Sequence, residues 1–206
     1  MVPCIQNIMC TVDLGCLLDL PYIAQNGINL EYKPEKYNPI IMRIRKPKST
    51  ALIFTSGKLV CTGTKDEEAA RIATRRFARI IQKLGFPVHF LNFRITNFVG
   101  SSALNFQPDL HNLVLRSNGK PDFVLANDGF YYKKPKKQKF TIEYTPELFP
   151  ALVYREGVTI LLFKSGKFIL TNAKTRQQLY DACDKFVKSI HRPNEECSSS
   201  ISNGST

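Results

Sequence analysis

The sequence predicts an α+β fold of two direct repeats, an antiparallel sheet covered by helices on one face and open on the other. Three observations carry this. A sixteen-residue stretch occurs twice, as TALIFTSGKLVCTGTK (50–65) and TILLFKSGKFILTNAK (159–174), with half of its positions identical. Each copy is followed by an amphipathic segment of helical period. No remaining segment offers a comparable helix, so only one sheet face finds a cover.

Each copy of the repeat is an apolar run, a Ser-Gly-Lys break and a second apolar run, which is a hairpin signal. A three-residue loop with Gly57 in the left-handed conformation predicts Phe54 opposite Val60 and Leu52 opposite Thr62. Strand alternation then puts Leu52, Phe54, Val60 and Thr62 on one face, and Ala51, Ile53, Leu59 and Cys61 on the other. Both faces are apolar. Residues 66–84 place Ala69, Ile72, Ala73, Phe77, Ile80 and Leu84 at helical spacing. Asp66, Glu67 and Glu68 fill the predicted first turn, and Gly85 follows the end. In the second copy Leu179, Ala182, Cys183, Phe186 and Ile190 are spaced likewise along 174–190. The uncovered apolar face is expected to be a binding surface.

Residues 4–12 and 94–102 are predicted as equivalent strands, sharing Ile5/Ile95, Asn7/Asn97 and Thr11/Ser101. Asparagine is disfavoured in strands, so its recurrence amid apolar neighbours points to a wanted amide; a solvated edge residue is the alternative for either one alone. Residues 19–26 form a short helix with Asp19 as N-cap, and 27–39 are turn-rich. Residues 40–45 are a strand with Arg43 and Arg45 on the side opposite Ile44, ended by Pro47. Residues 88–93 join the halves without a flexible linker. The expected units are repeat one over 2–91, repeat two over 92–192, and a disordered Ser-rich tail over 193–206. The repeat offset is 90 at Asn7/Asn97 but 112 at Tyr37/Phe149, which places an insertion at 117–141. It falls to 109 at Phe54/Phe163, so repeat two then loses three residues. The lysine run at 133–139 is a solvated basic loop, a phosphate contact or a nuclear-import signal.

The net charge of +12 and pI near 9.5 favour a polyanionic partner. Both halves share that charge, +6 over 1–91 and +8 over 92–192. Six cysteines without a C-x-x-C pair and three scattered histidines give no zinc spacing, and buried reduced thiols are expected. No signal peptide and no long apolar run occur, so no membrane partner is expected. No catalytic triad, paired carboxylate cluster or phosphate-cradling glycine loop can be assembled, so neither an enzyme nor a cofactor is expected. The informative pattern is two aromatic pairs, Tyr37 with Phe54 and Phe149 with Phe163. The first of each pair sits in a Pro-rich turn and the second just before Ser-Gly-Lys. Beside an open apolar face and a lysine loop, such aromatics suit wedges between base steps in a minor groove. Asparagines would read the groove's acceptors, and the lysines would meet phosphate.

The stretches PCIQNIMCTVDLGCLLDL (3–20), EYKPEKYNPIIMRIRKPKSTALIFTSGKLVCTGTK (31–65), RRFARIIQKLGF (75–86) and YTPELFPALVYR (144–155) closely resemble the TATA-binding protein family. The resemblance runs over nearly 2–190, apart from 117–141. It implies a pseudo-twofold saddle, a curved ten-stranded antiparallel sheet with four helices on its convex side and DNA on its concave side. It implies intercalation by Tyr37, Phe54, Phe149 and Phe163. Base hydrogen bonds would come from Asn7 and Asn97 with Thr62 and Thr171 beside them, and apolar base contacts from Met9, Leu52, Val60, Val99, Leu161 and Ile169. Backbone contacts would come from Gln6, Arg43, Ser56, Lys58, Arg155, Ser165 and Lys167. Tyr37 stands where the family has Phe, and Asn38 where a small residue is usual. Of an acidic pair facing transcription factor IIB, Glu147 remains and Thr145 replaces the other. The implied protein is a nuclear general initiation factor that binds and bends A·T-rich promoter DNA. Its implied partners are transcription factors IIA and IIB and TATA-binding-protein-associated factors. The alternative is a related paralogue that acts mainly as a protein scaffold.

Overall fold

The computed structural model describes residues 2–117, 123–125, 131–133 and 141–190. The tail and most of the 117–141 insertion, with its lysine run, lie outside the described residues. Repeat one contributes strands β1 (Cys4–Asp13), β2 (Leu30–Glu31), β3 (Ile40–Arg45), β4 (Lys48–Ile53) and β5 (Lys58–Thr64), and helices α1 (Leu20–Asn26) and α2 (Glu67–Lys83). Repeat two contributes β6 (Leu91–Ala103), α3 (Leu110–Ser117), β9 (Thr141–Glu143), β10 (Ala151–Glu156), β11 (Val158–Phe163), β12 (Lys167–Ala173) and α4 (Arg176–Ile190). Two short strands, β7 (Phe123–Leu125) and β8 (Tyr131–Lys133), pair with each other inside the insertion.

The other ten strands form one curved antiparallel sheet in the order β2-β3-β4-β5-β1-β6-β12-β11-β10-β9, symmetric about the β1/β6 seam. At that seam Ile8 lies opposite Phe98, Asn7 opposite Val99 and Met9 opposite Asn97. Each of these pairs maps onto itself or onto another when the repeats are exchanged, so the pseudo-twofold axis passes between Ile8 and Phe98. The saddle expected from the resemblance is the observed fold.

Alternation sets the two faces. Ser49, Ala51, Ile53, Leu59 and Cys61 are buried, while Thr50, Leu52, Val60 and Thr62 between them are half-buried. The buried side packs against α2 and α4, whose buried residues join one core with Ile8, Met42, Phe98, Ile160 and Leu170. Asp66 caps α2 by accepting the Ala69 N–H at 2.7 Å, and Glu67 and Glu68 follow in the first turn. Asp19 caps α1 as expected, accepting from the Tyr22 N–H at 3.0 Å. Asp109 caps α3 and Thr175 caps α4 in the same way. Full burial of Phe77 contributes about 2–3 kcal/mol.

Four expectations need correction. The Thr55–Gly57 loop has the anticipated length, with Gly57 at φ +80°, yet Leu52 lies opposite Val60 and Thr50 opposite Thr62. In that turn Gly57 donates to Phe54 and Phe54 donates to Lys58, so pairing begins two residues nearer the turn than expected. A slip of two leaves every side chain on its assigned face. The α2 stripe is rotated: Ala70, Ala73, Thr74, Phe77, Ala78 and Ile81 are buried, whereas Ile72 is 39% exposed and Ala69, Ile80 and Leu84 are only half-buried. Small residues face the sheet because the helix lies close to it. The turn-rich 27–39 segment contains the two-residue edge strand β2. Of the cysteines, Cys10, Cys61 and Cys183 are buried thiols, but Cys4 is exposed and Cys16 half-buried.

Candidate nucleic-acid interface

The open face is organised around two amides set on either side of the seam. Asn7 donates from Nδ2 to Thr62 Oγ1 at 2.9 Å, and its Oδ1 accepts the Gly63 N–H at 2.8 Å. Asn97 repeats the arrangement, donating to Thr171 Oγ1 at 3.3 Å and accepting the Asn172 N–H at 2.8 Å. A backbone N–H can only donate, so the atom facing it must be the amide oxygen. Each Asn is therefore fixed with its Nδ2 group beside its threonine. Thr62 takes one Nδ2 proton of Asn7, and the other remains to be given.

What positions these amides lies in the neighbouring strand. Gly63 and Asn172 occupy equivalent positions and have φ of +101° and +69°. Each sits in a register shift, between Cys10↔Cys61 and Ile8↔Thr64 in one half and between Leu170↔Gly100 and Ala173↔Phe98 in the other. These are β-bulges, and the left-handed residue turns its N–H toward the asparagine. Gly and Asn are the residue types that tolerate this conformation. The signal was present in TGTK and TNAK, but the pairing logic alone did not use it.

Around the amides the open side is apolar. Met9, Leu52, Val60, Val99, Leu161 and Ile169 are all half-buried there, and Leu52↔Val60 and Leu161↔Ile169 are direct cross-strand pairs. Phe54 follows the last residue of β4 and Phe163 ends β11, at matched turns where Gly57 and Gly166 both have φ +80°. A Cβ on either glycine would meet a backbone oxygen, Cys16 O at 2.2 Å or Phe106 O at 2.5 Å, so both turns require glycine. Tyr37 and Phe149 are held by matched turns, their N–H groups bonding Lys33 O at 2.8 Å and Thr145 O at 2.9 Å. They are 48% and 43% exposed. Glu147 and Leu148 beside Phe149 are exposed, Leu148 by 84%.

Polar groups rim this surface. Ser56, Lys58, Ser165 and Lys167 are exposed in and after the two turns. Gln6 donates to Ser101 Oγ at 2.9 Å near the seam. Arg43 and Arg155 lie opposite Thr50 and Thr159, each beside a carboxylate from the sheet's outermost strand. Arg43 contacts Glu31 at 3.4 Å and Arg155 contacts Glu143 at 2.8 Å. Lys33 first, then Arg43, holds the Glu31 carboxyl below its usual range. Sequence reasoning missed both glutamates, although their offset of 112 equals that of the arginines. Among the described residues no cluster of three or more His, Cys, Asp or Glu forms a metal site, and no helix is long and apolar enough to cross a membrane.

Residues 2–84 and 134–192 match the family described as transcription factor TFIID (or TATA-binding protein, TBP). The TATA-box-binding protein of Drosophila melanogaster is 48% identical over 187 residues, 89% of this chain and 47% of its own length. That of Acanthamoeba castellanii is 48% identical over 184 residues, 88% of this chain and 63% of its own length. The chain thus spans less than two thirds of the curated relatives it matches. Methanococcus jannaschii TBP superposes with a TM-score of 0.69 at 29% identity, covering 92% of this chain and 98% of that one. By this sequence match and the shared saddle, the chain belongs to the TATA-binding protein family.

Proposed function

We propose that the open face docks into the minor groove of A·T-rich promoter DNA, bends it, and nucleates assembly of a transcription initiation complex in the nucleus. The role is recognition and scaffolding, not catalysis. The observation that supports it most is the pair of amides fixed by Gly63 and Asn172 with Nδ2 facing their threonines. In a minor groove A·T pairs present only acceptors, whereas G·C adds the guanine amino donor. Two preset donors on an apolar surface match the first pattern and oppose the second, because an unpaired donor facing another donor forfeits its solvation. Tyr37 with Phe54, and Phe149 with Phe163, would wedge base steps at the two ends. Unstacking costs on the order of a few kcal/mol per step, a general figure for minor-groove wedge proteins that this family is among.

In this reading Asn7, Asn97, Thr62 and Thr171 read base edges, while Met9, Leu52, Val60, Val99, Leu161 and Ile169 fill the groove floor. Gln6, Arg43, Ser56, Lys58, Arg155, Ser165 and Lys167 meet the backbone. The repeats over 2–91 and 92–192 each address one half of the site. Transcription factors IIA and IIB and the associated factors are the expected protein partners, with Glu147 on the exposed turn as one contact.

The test is titration of the chain with an A·T-rich duplex and a mixed-sequence duplex at moderate salt. Asn7→Ala or Asn97→Ala should cost roughly 1–3 kcal/mol on the A·T-rich duplex and narrow the difference between the two, with the salt slope kept. Lys58→Ala or Lys167→Ala should weaken both duplexes alike and lower the slope by about 1. Equal wild-type affinity for the two duplexes would replace this reading with that of a protein scaffold.

A further inference from the structure

On the covered side of the sheet the two hairpins under the helices differ at their tips. Beyond the matched pairs Arg43↔Thr50 and Arg155↔Thr159, β3–β4 continues through residues 44–49 and β10–β11 through 156–158 alone. The surplus in repeat one is the basic turn Arg45-Lys46-Pro47-Lys48, and Arg76 of α2 holds it by donating to the Lys46 carbonyl. Repeat two has Gly157 in place of that turn, and Lys185, the counterpart of Arg76, reaches the Glu156 carboxylate instead. Among the described residues nothing else takes the turn's place. A hollow of about 390 Å³ lies there, with Val158, Ile160 and Phe186 on its apolar side. That volume falls at the lower end of the roughly 300–1,000 Å³ typical of ligand sites.

The shorter tip is also the more acidic one. Where repeat one has Ile44, just before the turn, and Ile72, one helical turn before Arg76, repeat two has Glu156 and Asp181. Both line the hollow, so two carboxylates face one ammonium, Lys185, on a chain of net charge +12. An apolar floor under an acidic rim suits a cation on an aliphatic stem and repels phosphate. We propose that this hollow is a docking site for a partner protein that presents a basic, proline-containing turn, the element that repeat one carries for itself. Lys185 then turns from Glu156 to a carbonyl of the incoming turn, as Arg76 does with Lys46. Glu156 and Asp181 take the turn's cations. The open face lies on the other side of the sheet, so this partner and a duplex do not compete for one surface.

The probe is a ring-closed peptide of residues 43–50, RIRKPKST, titrated onto the whole chain with the amide shifts of Ile160 and Ala182 as readout. Closing the ring lowers the ordering cost of binding. The peptide should bind saturably, and a ring with Lys46→Gly and Pro47→Gly should not. Asp181→Lys in the chain should weaken binding about five- to tenfold, as an attraction becomes a repulsion. Ala182→Leu fills the hollow without changing charge, so it should abolish peptide binding and leave duplex binding as it is in the wild type. No shift at Ile160 and Ala182 up to millimolar peptide would overturn the proposal, as would binding that both variants leave unchanged. So would binding that appears only with Lys134→Ser, Lys136→Ser and Lys137→Ser. The occupant would then be this chain's own lysine run, which leads into β9 at Thr141, opposite Arg155.

Discussion

The two halves of the saddle match most closely where they face outward and drift apart where they pack. On the open side Asn7/Asn97, Thr62/Thr171 and Leu52/Leu161 are identical. On the covered side the equivalents are Cys10/Gly100, Ala70/Leu179, Cys61/Leu170 and Thr74/Cys183. The differences compensate. In repeat two a Cβ on Gly100 would come within 2.8 Å of Leu179 Cδ2, so the large residue sits on the helix and the sheet makes room. In repeat one the sheet supplies Cys10, the helix supplies Ala70, and Cys10 Sγ lies 3.2 Å from Thr74 Oγ1. Packing needs only conserved volume and shape, whereas the open face needs particular donors at particular places. A second difference is the hairpin under each helix. The β10–β11 hairpin turns at Gly157, three residues shorter than β3–β4, and a hollow of about 390 Å³ remains beside Phe186.

The largest expected effect separates the cores. Phe77→Ala should cost about 3–5 kcal/mol in chemical denaturation, because Phe77 is wholly buried. Phe186→Ala, its equivalent, should cost less, since the wall beside it is already open. Equal losses would show that the hollow is irrelevant to packing.

The next effect is on DNA. Phe149→Ala should weaken binding to an A·T-rich duplex by on the order of a few kcal/mol, and Tyr37→Ala by less. The Tyr37 hydroxyl is costly to bury between bases without a partner, so that end starts from a weaker wedge. A larger loss for Tyr37→Ala, with both variants folded, reverses the ranking of the two ends.

Exchange of volume between the halves comes third. Gly100→Cys should destabilise by about 1–3 kcal/mol through overpacking, and adding Leu179→Ala, which copies repeat one, should restore most of it. Additive losses in thermal unfolding would refute the compensation. The smallest effect concerns the bulge. Gly63→Asn, which copies Asn172, should cost under about 1 kcal/mol, whereas Gly63→Val should cost about 1–3 kcal/mol and blur duplex preference as Asn7 loses its anchor.

Much of this was legible in the chain. Strand β3 appears at its predicted bounds, α1 starts after the predicted Asp19 cap, and the faces of β4 and β5 are as alternation assigns them. The α2 stripe was misread because periodicity favours large apolar residues such as Ile72 and Ile80, while a helix close to a sheet buries Ala70, Thr74 and Ala78. Strand β2 is two residues long and β9 three, too short to show a period. Helix α3 carries the same Asx cap as α1 at an offset of 90, Asp109 for Asp19, a signal that could have found it. The asparagines were legible as an anomaly, whereas the bulges that hold them show locally only as Gly63 and Asn172, residue types that tolerate a positive φ, a signal that strand alternation does not use.

The central claim is that fixed donors on the open face select base pairs by the absence of a minor-groove donor. Inosine lacks the guanine amino group, so an I·C pair offers a minor groove with acceptors only, like A·T. The direct measurement is competition for the wild-type chain among three duplexes of one length, carrying A·T, I·C or G·C pairs at the central steps. The account predicts that I·C competes nearly as well as A·T and that G·C is weaker by at least tenfold, about 1.4 kcal/mol. If I·C behaves like G·C, selection does not run through the minor-groove amino group, and the amides of Asn7 and Asn97 are not what reads the DNA.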